Sequence, residues 1–336
     1  MQELTSAMVK EQAKLFGADL CGIASMDRFE GAPPQADPRF IFPRAKVCIM
    51  LAFRIPRGYF RGIEEGTLFS VYPSMGYGGI NMVVSPLTLR WLSCWIEDFG
   101  WEAAPVPNIF SNSSTGFSTQ KYDPQHAIPV REGLPAPDIL VDYRIAAFCA
   151  GLGQIGYSKV FLTPEFGPFQ RFAMMLTDAP LEPDPIYEGK LCDRCMRCAR
   201  ACAGKAISTT ETESITVAGH KIEWGKLDYL RCSTAYMGGT EEYNPFLPEG
   251  IDVEKMAESY HGSKSGWNGY PAHLGHNASI EGARGCMREC YVHLEERGVL
   301  TKPFHNKFRD RKPWVITPEM RREFFARGKG EENAEE

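Results

Sequence analysis

The alternation of apolar and polar positions predicts a chain that mixes helices with short buried strands. Apolar residues recur at helical spacing between residues 4 and 16, where Thr5 or Ser6 can cap a helix and Gly17 can end it. A second helical pattern opens at Ser85-Pro86 and closes at Gly100. Short apolar runs of strand length and partly β-branched composition lie at 19–24, 46–53 and 171–178.

Two stretches lack a clear period. Residues 54–85 are rich in Gly, Tyr and Arg, so we expect long loops there, and 111–125 carries no element that the pattern identifies. Prolines cluster at positions 180, 183 and 185, which places a boundary near residue 186. The expected organisation is a first domain over 1–186, a cysteine-rich domain over 187–300 and a tail over 301–336.

Composition and charge exclude several classes of protein. The chain has 336 residues, of which 43% are hydrophobic and 24% charged, as in ordinary globular domains. Its net charge of -5 gives no sign of nucleic-acid binding. The longest apolar run, Val47–Phe53, is far below the roughly 20 residues that span a bilayer. The N-terminal stretch has neither an apolar signal core nor a twin-arginine pair, so we expect a cytoplasmic protein without a membrane partner.

Cysteine is the informative residue type. Eleven cysteines occur, and seven of them fall between Cys192 and Cys290. In a reducing compartment such a cluster binds metal more readily than it forms disulfides.

The run Cys192-x2-Cys195-x2-Cys198-x3-Cys202 has the spacing of a bacterial ferredoxin half-site. Two intervening residues let consecutive sulfurs face one cluster, while the fourth cysteine reaches a second cluster. Zinc is the competing interpretation, but zinc ribbons use paired C-x2-C knuckles instead of a four-cysteine run. The sequence therefore favours an iron–sulfur site, although Ala203 stands where the ferredoxin run has proline.

The partner half-site is less regular. By the same logic the first cluster, a [4Fe-4S] centre, takes Cys192, Cys195, Cys198 and Cys290, and the second takes Cys202, Cys232 and Cys286. A regular run would need a cysteine at Ala283, so the second cluster is either a three-iron centre or a four-iron centre with an open iron or another ligand. Candidates for that ligand are Asp252, His273 and His276. The alternative is that Cys232 is simply buried and that one cluster exists.

The segment Gly151-Leu-Gly153-Gln-Ile-Gly156 matches G-x-G-x-x-G. A dinucleotide site requires a helix directly after this turn. The residues that follow, YSKVFLTPEFG, favour extended chain, which argues against a nicotinamide site. The glycines still indicate that the backbone closely approaches either another strand or a flat ligand.

Residues 150–186 (AGLGQIGYSKVFLTPEFGPFQRFAMMLTDAPLEPDPI), followed by the cysteine run, strongly resemble reductive dehalogenases and epoxyqueuosine reductases. The stretches GADLCGIASMDRF and PRAKVCIMLAF are similar to the opening of the same group. The resemblance implies an α/β (α+β) fold, with a nitroreductase-like domain that holds base-off cobalamin and a ferredoxin-like domain that holds two iron–sulfur clusters. Electrons would pass through the clusters to cobalt.

The resemblance also implies site residues. The backbone of Gly151, Leu152, Gly153 and Gly156 would lie near the corrin, and Tyr157 stands where the family commonly has Lys, Arg or His. Family members use a tyrosine or an acid as proton donor, which makes Tyr143, Asp142 and Asp138 the catalytic candidates, followed by Tyr72 and Tyr77. Each candidate also has a purely structural interpretation. The aspartates could cap a turn, and Tyr143 could lie on a half-buried strand. Arg131 and Lys159 could bind an anionic substrate or be solvated charges.

The leading hypothesis is a cytoplasmic cobalamin-dependent reductase of a small organic molecule, with reduced ferredoxin or flavodoxin as electron donor. We do not expect tRNA as a partner, because the C-terminal repeat extension of epoxyqueuosine reductases is not present and the net charge opposes phosphate binding. One alternative is an electron-transfer or reductive-activation protein for a separate corrinoid protein. Another is a cobalamin-binding or trafficking protein with structural clusters.

Overall fold

The computed structural model describes residues 3–106, 108, 115–116, 121–122, 128–236, 238–241, 244, 247, 285–308 and 314–332. The α-helices are α1 (Ser6–Leu15), α2 (Arg61–Glu65), α3 (Ser85–Glu97), α4 (Tyr143–Cys149), α5 (Arg197–Arg200), α6 (Tyr229–Tyr236), α7 (Cys286–Glu296) and α8 (Pro318–Glu332). The strands are β1 (Leu20–Ser25), β2 (Val47–Arg54), β3 (Ala103–Val106), β4 (Thr115–Gly116), β5 (Lys121–Tyr122), β6 (Gln154–Ile155), β7 (Phe161–Leu162), β8 (Gln170–Thr177), β9 (Ile207–Val217) and β10 (His220–Leu227). A π-helix spans Tyr72–Val84, and short 3-10 turns include Arg57–Phe60.

A four-stranded antiparallel sheet with the order β1-β2-β8-β3 forms the centre of the fold. The strands β2 and β8 pair along their whole length, from Val47 opposite Thr177 to Arg54 opposite Gln170. Every residue of β2 except Arg54 is buried, because both faces of the sheet are covered. The three apolar runs in the sequence therefore do form strands, as predicted.

Alternate side chains of the sheet enter two different cores. Ile49 and Leu51 of β2 pack on one face against α1 and α3, and α7 joins the same core. Met50 and Ala52 pack on the other face against α4 and the β9–β10 hairpin. The period-2 alternation of a strand explains this division.

Helix α1 begins and ends where the sequence indicates. The Thr5 hydroxyl accepts a hydrogen bond from the Met8 N–H at 3.3 Å. At the other end Gly17 has φ +108, a conformation that glycine adopts most easily.

The prediction of loops over 54–85 is wrong, because this stretch is largely helical. The π-helix Tyr72–Val84 continues without a break into α3, so the α-helix begins at Ser85 as predicted, but it follows a helical segment instead of a loop, since Val84 already has helical angles of φ -66 and ψ -52. Tyr72 and Ile80 are buried, whereas Met75 is 50% exposed. The wider π winding and the interspersed glycines remove the 3.6-residue period that sequence analysis relies on.

The β9–β10 hairpin lies between two of the predicted cysteine ligands and was not predicted. Ala218 and Gly219 form its turn with φ +50 and φ +78, the left-handed pair that two-residue hairpins favour. Its inner residues Val217, Ile222 and Trp224 extend the second core of the sheet.

In the part of the chain that the structure describes, no helix combines the length and the apolar character needed to cross a bilayer. The longest apolar run of the sequence forms the central strand β2 instead. The domain boundaries at 186 and 300 stay predictions.

Candidate metal centre

Four predicted cysteine ligands line one recess. Cys192 and Cys195 come from the loop that leads into α5, Cys198 comes from α5 itself, and Cys290 comes from α7. Arg194 and Met196, the residues between or beside these cysteines, have φ +61 and φ +63. These left-handed residues wind the loop tightly around the recess. The structure thus brings together the set that the spacing assigns to the first cluster.

Hydrogen-bond donors surround the sulfurs of this recess. The Tyr157 N–H donates to Cys192 Sγ at 3.3 Å, and the Ser158 side chain hydrogen-bonds Cys198. Gln154 Oε1 accepts from the backbone N–H groups of Leu191 and Cys192, which fixes the start of the loop. Such donors stabilise thiolates and help to set the potential of a bound cluster.

Charged residues at the edge of the recess (the rim: Asp193, His293 and Arg297) hold α7 against the cysteine loop. Asp193 accepts from His293 Nε2 at 2.9 Å and lies 3.5 Å from Arg297 Nε. Burial opposes the charge of Asp193, but the bond to His293 and the charges of His293 and Arg297 hold the pKa of this carboxyl below its ordinary value. The rim therefore fixes Cys290 opposite the loop.

The second predicted set is only partly assembled by the described residues. Cys202 and Cys286 both pack on one small apolar group that includes Tyr157 and Ile207. The Ala206 N–H donates to Cys202 Sγ at 3.3 Å. Cys232 is exposed on α6. That helix packs on the turn after Cys202, where a Cβ on Gly204 would lie 2.5 Å from the Arg231 carbonyl oxygen. The proposed extra ligands Asp252, His273 and His276 lie outside the described residues.

Helix α7 carries one predicted ligand of each cluster. Cys286 and Cys290 are four residues apart, so their side chains share one face of the helix. A single rigid element therefore connects the two predicted centres.

Two buried ion pairs fix this helix, and sequence analysis missed both. Arg288 Nε and Nη2 lie 2.6 Å and 3.0 Å from the two carboxylate oxygens of Glu64 on α2. Arg57 Nη1 lies 3.1 Å from Glu295 Oε1 near the end of α7. Since the partners are far apart in the chain, no local pattern reveals them.

The glycine turn approaches other parts of this chain closely. A Cβ on Gly151 would lie 2.1 Å from the Pro185 carbonyl oxygen, and one on Gly153 would lie 2.0 Å from the Leu162 carbonyl oxygen. At Gly156 the nearest atom to a Cβ is Leu162 Cδ1 at 3.2 Å. Leu152 packs against the second core of the sheet. The chain after the turn forms β7, an extended segment as predicted, and the role of these residues at a corrin stays a prediction.

The three catalytic candidates occupy different environments. Asp142 caps α4 and accepts from the Arg144 N–H at 2.9 Å. The Tyr143 hydroxyl donates to the Val106 carbonyl oxygen at 3.0 Å, and burial raises the pKa of this phenol well above its ordinary value. Tyr143 is the first residue of a helix, so the strand alternative is wrong. Asp138 is exposed with φ +60.

Lys159 is not a solvated charge. Its ammonium lies 2.9 Å from the Tyr229 hydroxyl and 3.6 Å from Asp142 Oδ2, and it is centred 4.8 Å over the Trp224 ring. Only 13% of the side chain is exposed. Arg131, by contrast, is exposed. Lys159 thus joins the turn after the glycines to Asp142 and to the β9–β10 hairpin.

The curated proteins that match this chain in sequence are tetrachloroethene reductive dehalogenases. No family model matches the chain. The chain is 28% identical over 283 residues to the tetrachloroethene reductive dehalogenase of Sulfurospirillum multivorans. That alignment covers 76% of this chain and 52% of that protein. The chain is 44% identical over 268 residues to the enzyme of the same name from Dehalobacter restrictus. That alignment covers 70% of this chain and 46% of that protein. The chain therefore spans about half the length of the curated relatives it matches.

Solved structures that align with this chain are more distant in sequence. The alignment with a catabolic reductive dehalogenase covers 93% of this chain and 39% of the dehalogenase chain, at 17% identity and a TM-score of 0.48. The alignment with the epoxyqueuosine reductase of Streptococcus thermophilus covers 60% of this chain and 52% of the reductase chain, at 17% identity and a TM-score of 0.39.

Proposed function

Because this chain is homologous to the tetrachloroethene reductive dehalogenases, we propose that it is a cobalamin-dependent iron–sulfur reductase. It would cleave a bond in a small organic substrate, with reduced ferredoxin or flavodoxin as the electron donor. The observation that carries the proposal is the recess in which Cys290, from a distant helix, joins Cys192, Cys195 and Cys198.

The donor set fits an iron–sulfur cluster. Four cysteines line the first site, with N–H and hydroxyl donors to two of the sulfurs. The second cluster, [4Fe-4S] or [3Fe-4S], would use Cys202, Cys232 and Cys286. Bound clusters supply electron relay, and the cobalamin supplies a reduced cobalt centre. The place of cobalamin beside residues 151–157 rests on the homology.

The chain's own residues position charge and protons. The Tyr157 N–H and the Ser158 side chain support negative charge on the sulfurs, while Leu191 and Leu294 shield the recess from water. The Asp142 carboxylate is engaged by its helix cap and by Lys159, which favours a structural role. Like any phenol, Tyr143 carries its proton at neutral pH, and burial raises its pKa further, so it can give a proton but cannot act as a base. We therefore favour Tyr143 as the proton donor.

Cofactor content tests the scaffold. We would purify the protein anaerobically with cobalamin and count iron, sulfide and cobalt, expecting about seven or eight irons for two clusters and one cobalt per chain. Cys290→Ser should remove the EPR signal of the first cluster. Cys94→Ser, at an exposed cysteine on α3, is the matched control and should change nothing. An unchanged EPR signal of the first cluster in Cys290→Ser would refute the ligand assignment.

Two further variants separate the roles of Asp142 and Tyr143. Asp142→Asn keeps a good helix cap while removing the charge, so it should retain turnover if Asp142 is structural. Tyr143→Phe should leave both cofactors bound, slow the reduction of a halogenated test substrate and cost about 1 kcal/mol through the lost hydrogen bond. An unchanged rate for Tyr143→Phe would refute its assignment as proton donor.

A second candidate function is electron transfer to a separate corrinoid protein. It is favoured by the close packing of Gly151 and Gly153 on Pro185 and Leu162, which accounts for both glycines without a flat ligand. Iron without cobalt after reconstitution, together with reduction of a partner's cobalt, would support this function and overturn the leading one.

A further inference from the structure

The segment that follows α7 contacts both this helix and α2. Residues 301–307 are exposed, whereas Phe308 is buried. Trp314, the next residue that the structure describes, is half-buried. We call residues 304–308 and Trp314 the strap.

Phe308 fixes the strap on α7. Its backbone N–H donates to Glu295 Oε2 at 2.5 Å, and its ring lies 5.7 Å from the ring of Tyr291 at an angle of 71°. The guanidinium of Arg288 lies 5.4 Å from the same ring. The strap therefore packs on the helix that carries one predicted ligand of each cluster.

Arg57 joins the strap to α7 from the turn before α2. Its guanidinium lies 4.4 Å from the ring of Phe304 and 5.1 Å from the ring of Phe308. Its Nη2 donates to the Asn306 carbonyl oxygen at 2.6 Å, and its Nη1 lies 3.1 Å from Glu295 Oε1. One buried cation is thus shared by three segments of the chain.

Trp314 fixes the other end of the strap on α2. Its Nε1–H donates to the Ile63 carbonyl oxygen at 2.7 Å. Its ring meets the ring of Phe69 edge-on, with the centres 5.2 Å apart. The same helix holds α7 through the buried ion pair of Glu64 with Arg288. Together the strap and α2 hold α7 on two sides.

The strap is the part of this assembly that can open most easily. Its described residues are attached by a few side chains, and most of them face solvent. Segments with few buried contacts open locally at a lower free energy than the core strands do. Ligands from α7 complete both predicted clusters, so this helix must move before either set of ligands can open there.

We propose that the strap retains both iron–sulfur clusters, because α7 can leave the cysteine loop only after the strap has released it. The inference rests on the proposed function, since it requires bound clusters. Thermodynamic coupling is reciprocal, so if the closed strap favours bound iron, bound iron must favour the closed strap by the same factor.

Iron release from the cluster-loaded full chain tests the proposal. We would add bathophenanthroline disulfonate anaerobically and follow the ferrous complex that forms. Trp314→Ala removes one hydrogen bond and one aromatic pair, so iron should leave about tenfold faster. Phe324→Ala, at an exposed ring on α8 of the same C-terminal region, is the matched control and should release iron at the wild-type rate.

Amide hydrogen exchange under native conditions supplies the second measurement. Exchange in residues 304–308 and in α7 should be slower in the iron-loaded protein than in the iron-free protein. In Trp314→Ala both segments should exchange faster, while β2 keeps its wild-type protection. Faster iron release that is matched by faster exchange in β2 would mean global unfolding and would refute a local role of the strap.

The outcomes separate the inference from the function on which it rests. A wild-type protein that binds no iron would overturn both. Bound clusters that leave Trp314→Ala at the wild-type rate would overturn the inference and leave the reductase intact, and so would equal protection of the strap with and without iron. If Trp314→Ala does not fold, Trp314→Phe keeps a ring, removes the donor to Ile63 and should release iron severalfold faster; a wild-type rate there would contradict the proposal.

Discussion

The ion pair between Glu64 and Arg288 gives the sharpest test of how α7 is held. Glu64 is fully buried and Arg288 is 2% exposed, and the two form a two-point contact. Glu64→Gln removes the charge and keeps the shape, so it leaves a buried guanidinium in a site built for an ion pair.

The magnitude follows from what remains around Arg288. Removal of one partner of a buried pair costs about 3–5 kcal/mol. Glu289 still lies 2.7 Å from Arg288 Nη1, so we expect the lower end, about 3 kcal/mol. The double variant Glu64→Leu/Arg288→Met should recover part of the loss, because neither charge is then left unpaired.

Urea unfolding of the cluster-loaded protein under anaerobic conditions measures the effect through tryptophan fluorescence. Glu65→Gln is the matched control on the same helix. It breaks an exposed pair with Arg61 at 3.2 Å and should cost no more than about 0.5 kcal/mol. If Glu64→Gln costs no more than this control, the reasoning about the buried pair is wrong.

Three further predictions concern the turns and the metal. Gly153→Ala should lower the thermal unfolding midpoint and cost more than about 1 kcal/mol, because its Cβ would lie 2.0 Å from the Leu162 carbonyl oxygen; an unchanged midpoint would contradict this packing. Ala218→Asn should raise stability in urea by about 1 kcal/mol, since asparagine tolerates the left-handed conformation at this hairpin turn better than alanine; a decrease would count against it. Removal of iron by chelation should speed amide hydrogen exchange in residues 191–202 and leave β2 unchanged; equal exchange with and without iron would speak against a cluster there.

The sequence pattern was sufficient to predict the helices and strands whose signal lies within one short segment of the chain. The apolar runs over 46–53 and 171–178 form the two central strands, because strand length and continuous burial leave a clear signature. Helix α1 was readable from its cap and its glycine stop. Cysteine spacing indicated that Cys290 joins the first three thiols, which is how the structure arranges them.

What sequence analysis missed depends on contacts between distant segments or on unusual winding. The π-helix over Tyr72–Val84 follows neither a 3.6 nor a 2.0 period. The partners of Arg288 and Lys159 come from other parts of the chain, so their environments could not be read locally. The β9–β10 hairpin did carry a signal, since Ala218-Gly219 follows the alternating segment SITV.

The position of α7 late in the chain has a consequence for assembly. The first three cysteines of the recess are synthesised well before Cys290, so a cluster bound by all four closes a long loop and acts as a cross-link between early and late segments. Loop-closure entropy grows only slowly with length, by about 0.6 kcal/mol for each doubling. The chain between Cys198 and Cys290 can therefore lengthen or shorten at little thermodynamic cost, provided that α7 still docks on Glu64 and Arg57. Full coordination of iron must then wait until α7 has folded onto the sheet, which makes docking of this helix the step that commits the protein to its metal.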